Sequence, residues 1–194
     1  MNFIAKLSRR IGDNLVRSNV VKAEDAEIYI YGINQILISV LNVFSALIIG
    51  LIFGVFFEIL VFMAVYIPLR SYAGGYHART PLRCYIFSVI MLIAVSLGLK
   101  YLCIAEWVYY VIFALVIIII CVLSPVEDRN KPLDEIEHKI YKKRTIFVVV
   151  AELTIALLLK LVMFDNLFIA IAYSFVVLSL MLIGGKIKNL FLSI

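Results

Sequence analysis

The sequence predicts an all-α, polytopic membrane bundle of about six transmembrane helices, and three observations carry that reading. Hydrophobic residues make up 64% of the 194 residues and charged residues only 16%, whereas soluble domains average about 45–50% and 25%. The apolar residues fall in runs of roughly 17–22, the length that crosses the hydrocarbon of a bilayer. The basic residues are confined to alternate connections between those runs, as the positive-inside rule requires of a multi-pass protein.

The elements follow in order. Phe3, Ile4, Leu7, Ile11 and Leu15 recur at helical spacing with Lys6, Arg9, Arg10, Asp13 and Arg17 between them. This predicts a basic amphipathic helix on the inner leaflet, serving either as a cap on the bundle or as a docking helix for substrate. No short apolar run with a small-residue cleavage site precedes Ile28, so the chain is expected to enter the bilayer by its own spans.

Six spans are expected at about Tyr31–Ile52, Phe53–Leu69, Cys84–Ile104, Trp107–Leu123, Ile146–Phe164 and Asn166–Gly184. The first two form one apolar stretch from Ile28 to Leu69, too long for a single helix, and Gly50 and Gly54 offer the break. Residues 1–27 then form a cytoplasmic amphipathic segment, 28–185 a six-span membrane domain and 186–194 a cytoplasmic tail. Sixteen of the eighteen lysines and arginines lie in the N-terminal segment, the second and fourth connections or the tail. Both termini and both long connections are therefore expected in the cytoplasm.

Cys84, Cys103 and Cys121 are an odd number with no CxxC spacing, which argues against a disulfide framework or a zinc site. The two histidines, His77 and His138, are too few and too far apart to suggest metal. No cofactor and no nucleic acid is expected; the evident partner is the lipid bilayer.

The second connection holds the chemistry. It reads Arg70-Ser-Tyr-Ala-Gly74-Gly75-Tyr-His77-Ala-Arg79-Thr-Pro-Leu-Arg83-Cys84, an unusual composition for a plain connector. A cysteine nucleophile needs its thiolate and a base or cation beside it. On one uninterrupted helix His77 and Cys84 would share a face but lie about 10 Å apart along the axis, beyond hydrogen-bond reach. Thr80 is a good N-cap and Pro81 suits the first helical position, so the third span should start there and place Cys84 in its first turn. The positive end of that helix, with Arg79 and Arg83, favours a thiolate. The glycine pair lets His77 fold back to take the thiol proton and return it to a leaving amine. Backbone N–H groups around Gly74 and Gly75, or the Arg70 guanidinium, could hold the oxyanion. The plainer alternative is that Cys84 is a small buried residue and His77 an interfacial anchor.

These residues resemble a known signature. Arg70, Gly75, His77 and Cys84 at this spacing, with Ser124-Pro125-Val126-Glu127-Asp-Arg-Asn130-Lys131-Pro132 in the fourth connection, resemble the accessory gene regulator B (AgrB) family of bacterial membrane cysteine endopeptidases. Length and six-span layout agree, so the resemblance covers essentially the whole chain. It implies a quorum-sensing role at the bacterial cell membrane, with the active site cytoplasmic. Cys84 would be the nucleophile and His77 the base in removing the acidic C-terminal tail of a small precursor peptide. An internal cysteine or serine then releases a cyclic thiolactone or lactone. The resemblance also makes a homodimer plausible. An acidic tail would suit Arg70, Arg79, Arg83, Lys131, Lys142, Lys143 and Arg144, although basic loops are expected of any membrane protein. The competing classes are a small transporter, for which Glu58, Lys100, Glu152 and Lys160 would mark a path, and a non-catalytic peptide-binding scaffold.

Overall fold

The computed structural model describes residues 2–76, 78, 80–127 and 133–192, the side chains of Asn2 and Leu192 excepted. The described residues are helical almost throughout, in the order α1 (Asn2–Arg17), α2 (Ala26–Phe53), α3 (Phe56–Ala73), α4 (Pro81–Tyr101), α5 (Glu106–Leu123), α6 (Glu135–Leu161) and α7 (Asp165–Leu192), with a 3₁₀ turn at Ala23–Asp25 before α2. The protein is a polytopic helical membrane protein.

Five of these helices are long and apolar enough to cross a bilayer, α6 being the exception among the six long ones. Its apolar stretch is interrupted by Glu152, which is only 7% exposed, and by Lys160. The extent of α6 also corrects an expectation. Lys139, Lys142, Lys143 and Arg144 were expected in a connecting loop, but they lie on the first turns of this helix. The reason is local. Asp134 accepts from the Glu137 backbone N–H at 2.6 Å and Glu137 reaches back to the Asp134 N–H, a capping box that starts the helix at Glu135. The break between the first two spans falls at Gly54, whose φ of +73° turns the chain out of α2, while Gly50 stays helical.

The chain divides into two compact units, Met1–Ile49 with Ala78–Ile93 and Gly50–His77 with Ala94–Ile194. In the first, the amphipathic N-terminal stretch forms α1. Ser8 and Gly12 are buried, Ile4, Leu7, Ile11 and Leu15 are half-buried, and Phe3, Lys6, Arg9, Arg10 and Arg17 are exposed. A side chain at Gly12 would run into Ile30 of α2. Ser45 of α2 and Tyr85 of α4 share a hydrogen bond of 2.8 Å.

The second unit is organised around α7, which packs against α3, α5 and α6. α7 is more buried than α3 and α5, 56% of its most apolar stretch against 28% and 22%, so it is the central helix of this unit. Without a hydrophobic drive between helices in lipid, close approach depends on shape and small residues. Ala170 and Ser174 on one side of α7 and Ala172 and Ser179 on the opposite side are all buried. Phe113 of α5 packs edge-on against Phe168 and Phe175 of α7, at centroid separations of 5.9 and 4.9 Å. Ser174 Oγ donates to the Phe62 carbonyl of α3 at 3.1 Å. At one end of this unit Lys160 bridges Glu106 and Asp165 at 3.1 and 2.6 Å, tying α6 to the starts of α5 and α7.

Candidate active site

The end of α3 is built to hold a loop. Gly74 terminates the helix with φ +73°, and Gly75 follows at φ +124°. Side chains rarely adopt either conformation, which explains the glycine pair. The space is as restrictive as the torsion, because a Cβ on Gly74 would collide with the Val126 carbonyl. The loop pairs with the stretch after α5 in a single parallel bridge between Gly74 and Val126. Val126 N–H donates to the Ala73 carbonyl at 2.9 Å, and Gly75 N–H donates to the Val126 carbonyl at 3.2 Å. Tyr76 N–H then donates to the Met181 carbonyl of α7 at 2.8 Å.

Arg70 closes the arrangement. From the last turn of α3 its guanidinium donates to the Gly74 and Tyr76 carbonyls. These are charge-assisted bonds, the stronger kind, and they give Arg70 the task of shaping the loop that leads into His77. α7 makes room for that loop at Gly184 and Gly185. A Cβ on Gly185 would sit 2.8 Å from the Gly75 carbonyl carbon and 2.9 Å from the Tyr76 nitrogen, too close for either chain to stay in place.

The stretch after α5 is anchored in the same way. Lys142 Nζ donates to the carbonyls of Cys121 and Ser124, the latter at 2.7 Å. It therefore caps the C-terminus of α5, where backbone carbonyls lack partners and cations are favoured. Glu127 accepts from the Leu133 N–H at 2.9 Å, and its carbonyl accepts from Asn189 Nδ2 at 2.8 Å. Arg144 lies over the Tyr72 ring at 5.6 Å. Lys143 is exposed.

Cys84 sits at the beginning of α4. Thr80 Oγ1 accepts from the Arg83 N–H at 3.3 Å, and the Cys84 N–H donates to the Thr80 carbonyl at 3.0 Å. That is an N-cap followed by Pro81 at the first helical position, as the sequence predicts. Cys84 is half-buried and unbridged; Arg83 is exposed. α3 ends at Ala73 and α4 begins at Pro81, so no described helix runs through both members of the pair. His77, Arg79 and Lys131 lie outside the described residues. Among those described, no cluster of histidine, cysteine and carboxylates could hold a metal.

The structure thus draws together two segments that are distant in sequence, the glycine loop and Ser124–Glu127. Sequence reasoning noticed both without predicting their pairing. It missed Met181, Gly185 and Asn189 of α7, although two adjacent glycines near the end of an apolar span were a legible signal of close backbone approach.

A family model described as Accessory gene regulator B matches residues 6–183. The chain belongs to the AgrB family. It is 30% identical over 179 residues to an AgrB-like protein of Listeria monocytogenes serotype 4a, covering 86% of this chain and 87% of that one. Against AgrB-like protein 2 of Clostridium perfringens strain 13 the identity is 27%, over 80% of this chain and 76% of the relative. Accessory gene regulator protein B of Staphylococcus carnosus is 31% identical over a shorter region, 61% of this chain and 64% of its own. No solved structure matches.

Proposed function

We propose that this AgrB-family protein is a cysteine endopeptidase that removes the acidic C-terminal tail of a small quorum-sensing precursor and releases the remainder as a ring. The observation that carries the reading is the position of Cys84 in the capped first turn of α4, after a loop held in place by Arg70 and Val126. A first-turn cysteine lies at the end of a helix where backbone N–H groups converge.

In the proposed reaction His77 takes the Cys84 proton and the sulfur attacks the carbonyl of the scissile peptide bond. The tail departs as an amine carrying the proton returned by His77, and the precursor is left as a thioester on Cys84. An internal cysteine or serine of the precursor attacks that thioester, forming the lactone ring and restoring the Cys84 thiol. Cyclisation outruns hydrolysis when the internal nucleophile is held near and water is excluded, an effect of proximity.

The distribution of basic residues supports a cytoplasmic active site and cytoplasmic termini. Arg70, Lys142 and Arg144 already serve the protein's own carbonyls and a ring, so the exposed Arg83 and Lys143 suit an acidic tail better. The test is reconstitution in vesicles with synthetic peptides that carry an internal cysteine and an acidic C-terminal tail. Mass spectrometry should find a free tail and a cyclic product, and a thioester on Cys84 when the internal cysteine is replaced by alanine. Cleavage by a Cys84→Ala protein would rule out the assigned nucleophile.

A further inference from the structure

α2 has an unusual face for a membrane helix. Tyr31, Asn34, Gln35, Ile38, Asn42 and Ser45 fall within an arc of about 100° on a helix of 3.6 residues per turn. Elsewhere the helix offers lipid the apolar surface expected of a span, with Ile36 64%, Phe44 60% and Ile48 54% exposed. Side-chain amides and hydroxyls inside a bilayer are costly, and they mark a surface that meets something other than acyl chains.

The polar atoms of this stripe are little used by the protein itself. Gln35 Nε2 donates to Tyr31 Oη, one turn away on the same helix, at 3.2 Å. Asn42 Nδ2 donates to the Ile38 carbonyl at 3.1 Å, while Asn42 Oδ1 is buried and has no hydrogen-bond partner among the described residues. One end of the stripe is Ser45, which shares a hydrogen bond of 2.8 Å with Tyr85, the residue next to Cys84. At the other end Tyr31 and Asn34 line a cleft of about 470 Å³ between α1 and α2, with Lys6 on its wall and Arg9 facing Glu27 in a long ion pair of 4.0 Å.

We propose that this stripe is the track on which the peptide substrate lies while its scissile bond is presented to Cys84. The inference rests on the peptidase reading and adds the element that binds the substrate. An extended polypeptide is the occupant whose chemistry fits. Each of its residues brings an N–H and a C=O that must be paired within hydrocarbon, and carboxamide side chains offer both donors and acceptors. A lipid chain needs neither, and a phosphate headgroup calls for cations along the whole stripe rather than at one end. From Ser45 to Tyr31 the helix rises about 21 Å, the span of about six extended residues. The segment on the C-terminal side of the scissile bond, uncharged along the stripe, would then bring its acidic end to Lys6 of the cleft, where it can compete with Glu27 for Arg9.

The experiment uses the full chain in vesicles, with Cys84→Ala to hold the substrate uncut and benzoylphenylalanine in place of Asn42. Phe44, on a lipid-exposed face of the same helix, is the control position. The probes are the synthetic peptides with an internal cysteine and an acidic tail. Irradiation should cross-link peptide to position 42 with a yield about tenfold or more above that at position 44; equal yields, or adducts with lipid alone, overturn the proposal. With Cys84 intact, Asn42→Leu and Gln35→Leu should each raise KM about tenfold with kcat within about twofold, the pattern of lost binding without lost chemistry. Phe44→Leu should change neither. An unaltered KM in both stripe variants also overturns the track. Cleavage that survives Cys84→Ala removes the peptidase reading instead, and the cross-link then judges the track by itself.

Discussion

The loop that leads into His77 and the helix start that holds Cys84 are near neighbours in sequence, yet they are stabilised in opposite ways. In the loop, successive backbone N–H groups of Gly74, Gly75 and Tyr76 go to Arg70, Val126 and Met181, and the Arg70 guanidinium takes two of the carbonyls. The partners come from α3, from the stretch after α5 and from α7. At the start of α4, Pro81, Leu82 and Arg83 are exposed and the turn is set by one threonine cap and its own helical bond. Low local stability belongs to segments with few buried partners. The difference teaches that tertiary contacts are concentrated on the loop that leads into His77, while the turn that carries Cys84 rests mainly on local helix chemistry, with the Ser45–Tyr85 bond one residue further on.

The comparison can be broken at four points, from the largest effect to the smallest. Cys84→Ala should abolish tail removal altogether while leaving the amount of inserted protein unchanged; membrane fractionation beside the cleavage assay checks both. Arg70→Leu strands two half-buried carbonyls that had a charged donor, each worth about 1.5–3 kcal/mol. Processing should fall about 100-fold or more, with alkylation of Cys84 by a small thiol reagent little changed, and parallel losses in both would show that the two regions are not independent. Gly185→Ala should cost about 1–3 kcal/mol by overpacking and slow processing about tenfold, read from single-turnover rates. Thr80→Ala removes one cap, about 1 kcal/mol, and should slow processing only a few-fold, with Thr80→Ser recovering most of it. A Thr80→Ala effect as large as that of Arg70→Leu would erase the contrast.

The sequence reading met the structure unevenly, and the pattern has a cause. The N-cap at Thr80–Pro81 and the N-terminal helix α1 were read correctly, and Gly54 was one of the two breaks the sequence offered, because each depends on residues within a turn or two of one another. The start of α6 was misplaced even though Asp134 and Glu137 carry a legible capping box; the charge of Lys139–Arg144 suggested a loop more strongly than the cap suggested a helix. Arg70 and Lys142 were read as groups available to a substrate, and the structure gives each of them backbone carbonyls of its own chain.

By itself, the sequence determined that this is a multi-pass helical membrane protein of the AgrB pattern, and it placed Cys84 in the first turn of a span. Hydropathy, capping and spacing are properties of contiguous residues, so one dimension suffices for them. Only the tertiary structure decided that Val126 pairs with Gly74, that Met181 and Gly185 of α7 seat the loop, and that the polar stripe of α2 ends at Tyr85. Those pairings join segments dozens of residues apart, and which backbone groups meet there depends on how the helices pack, a choice that no local pattern encodes.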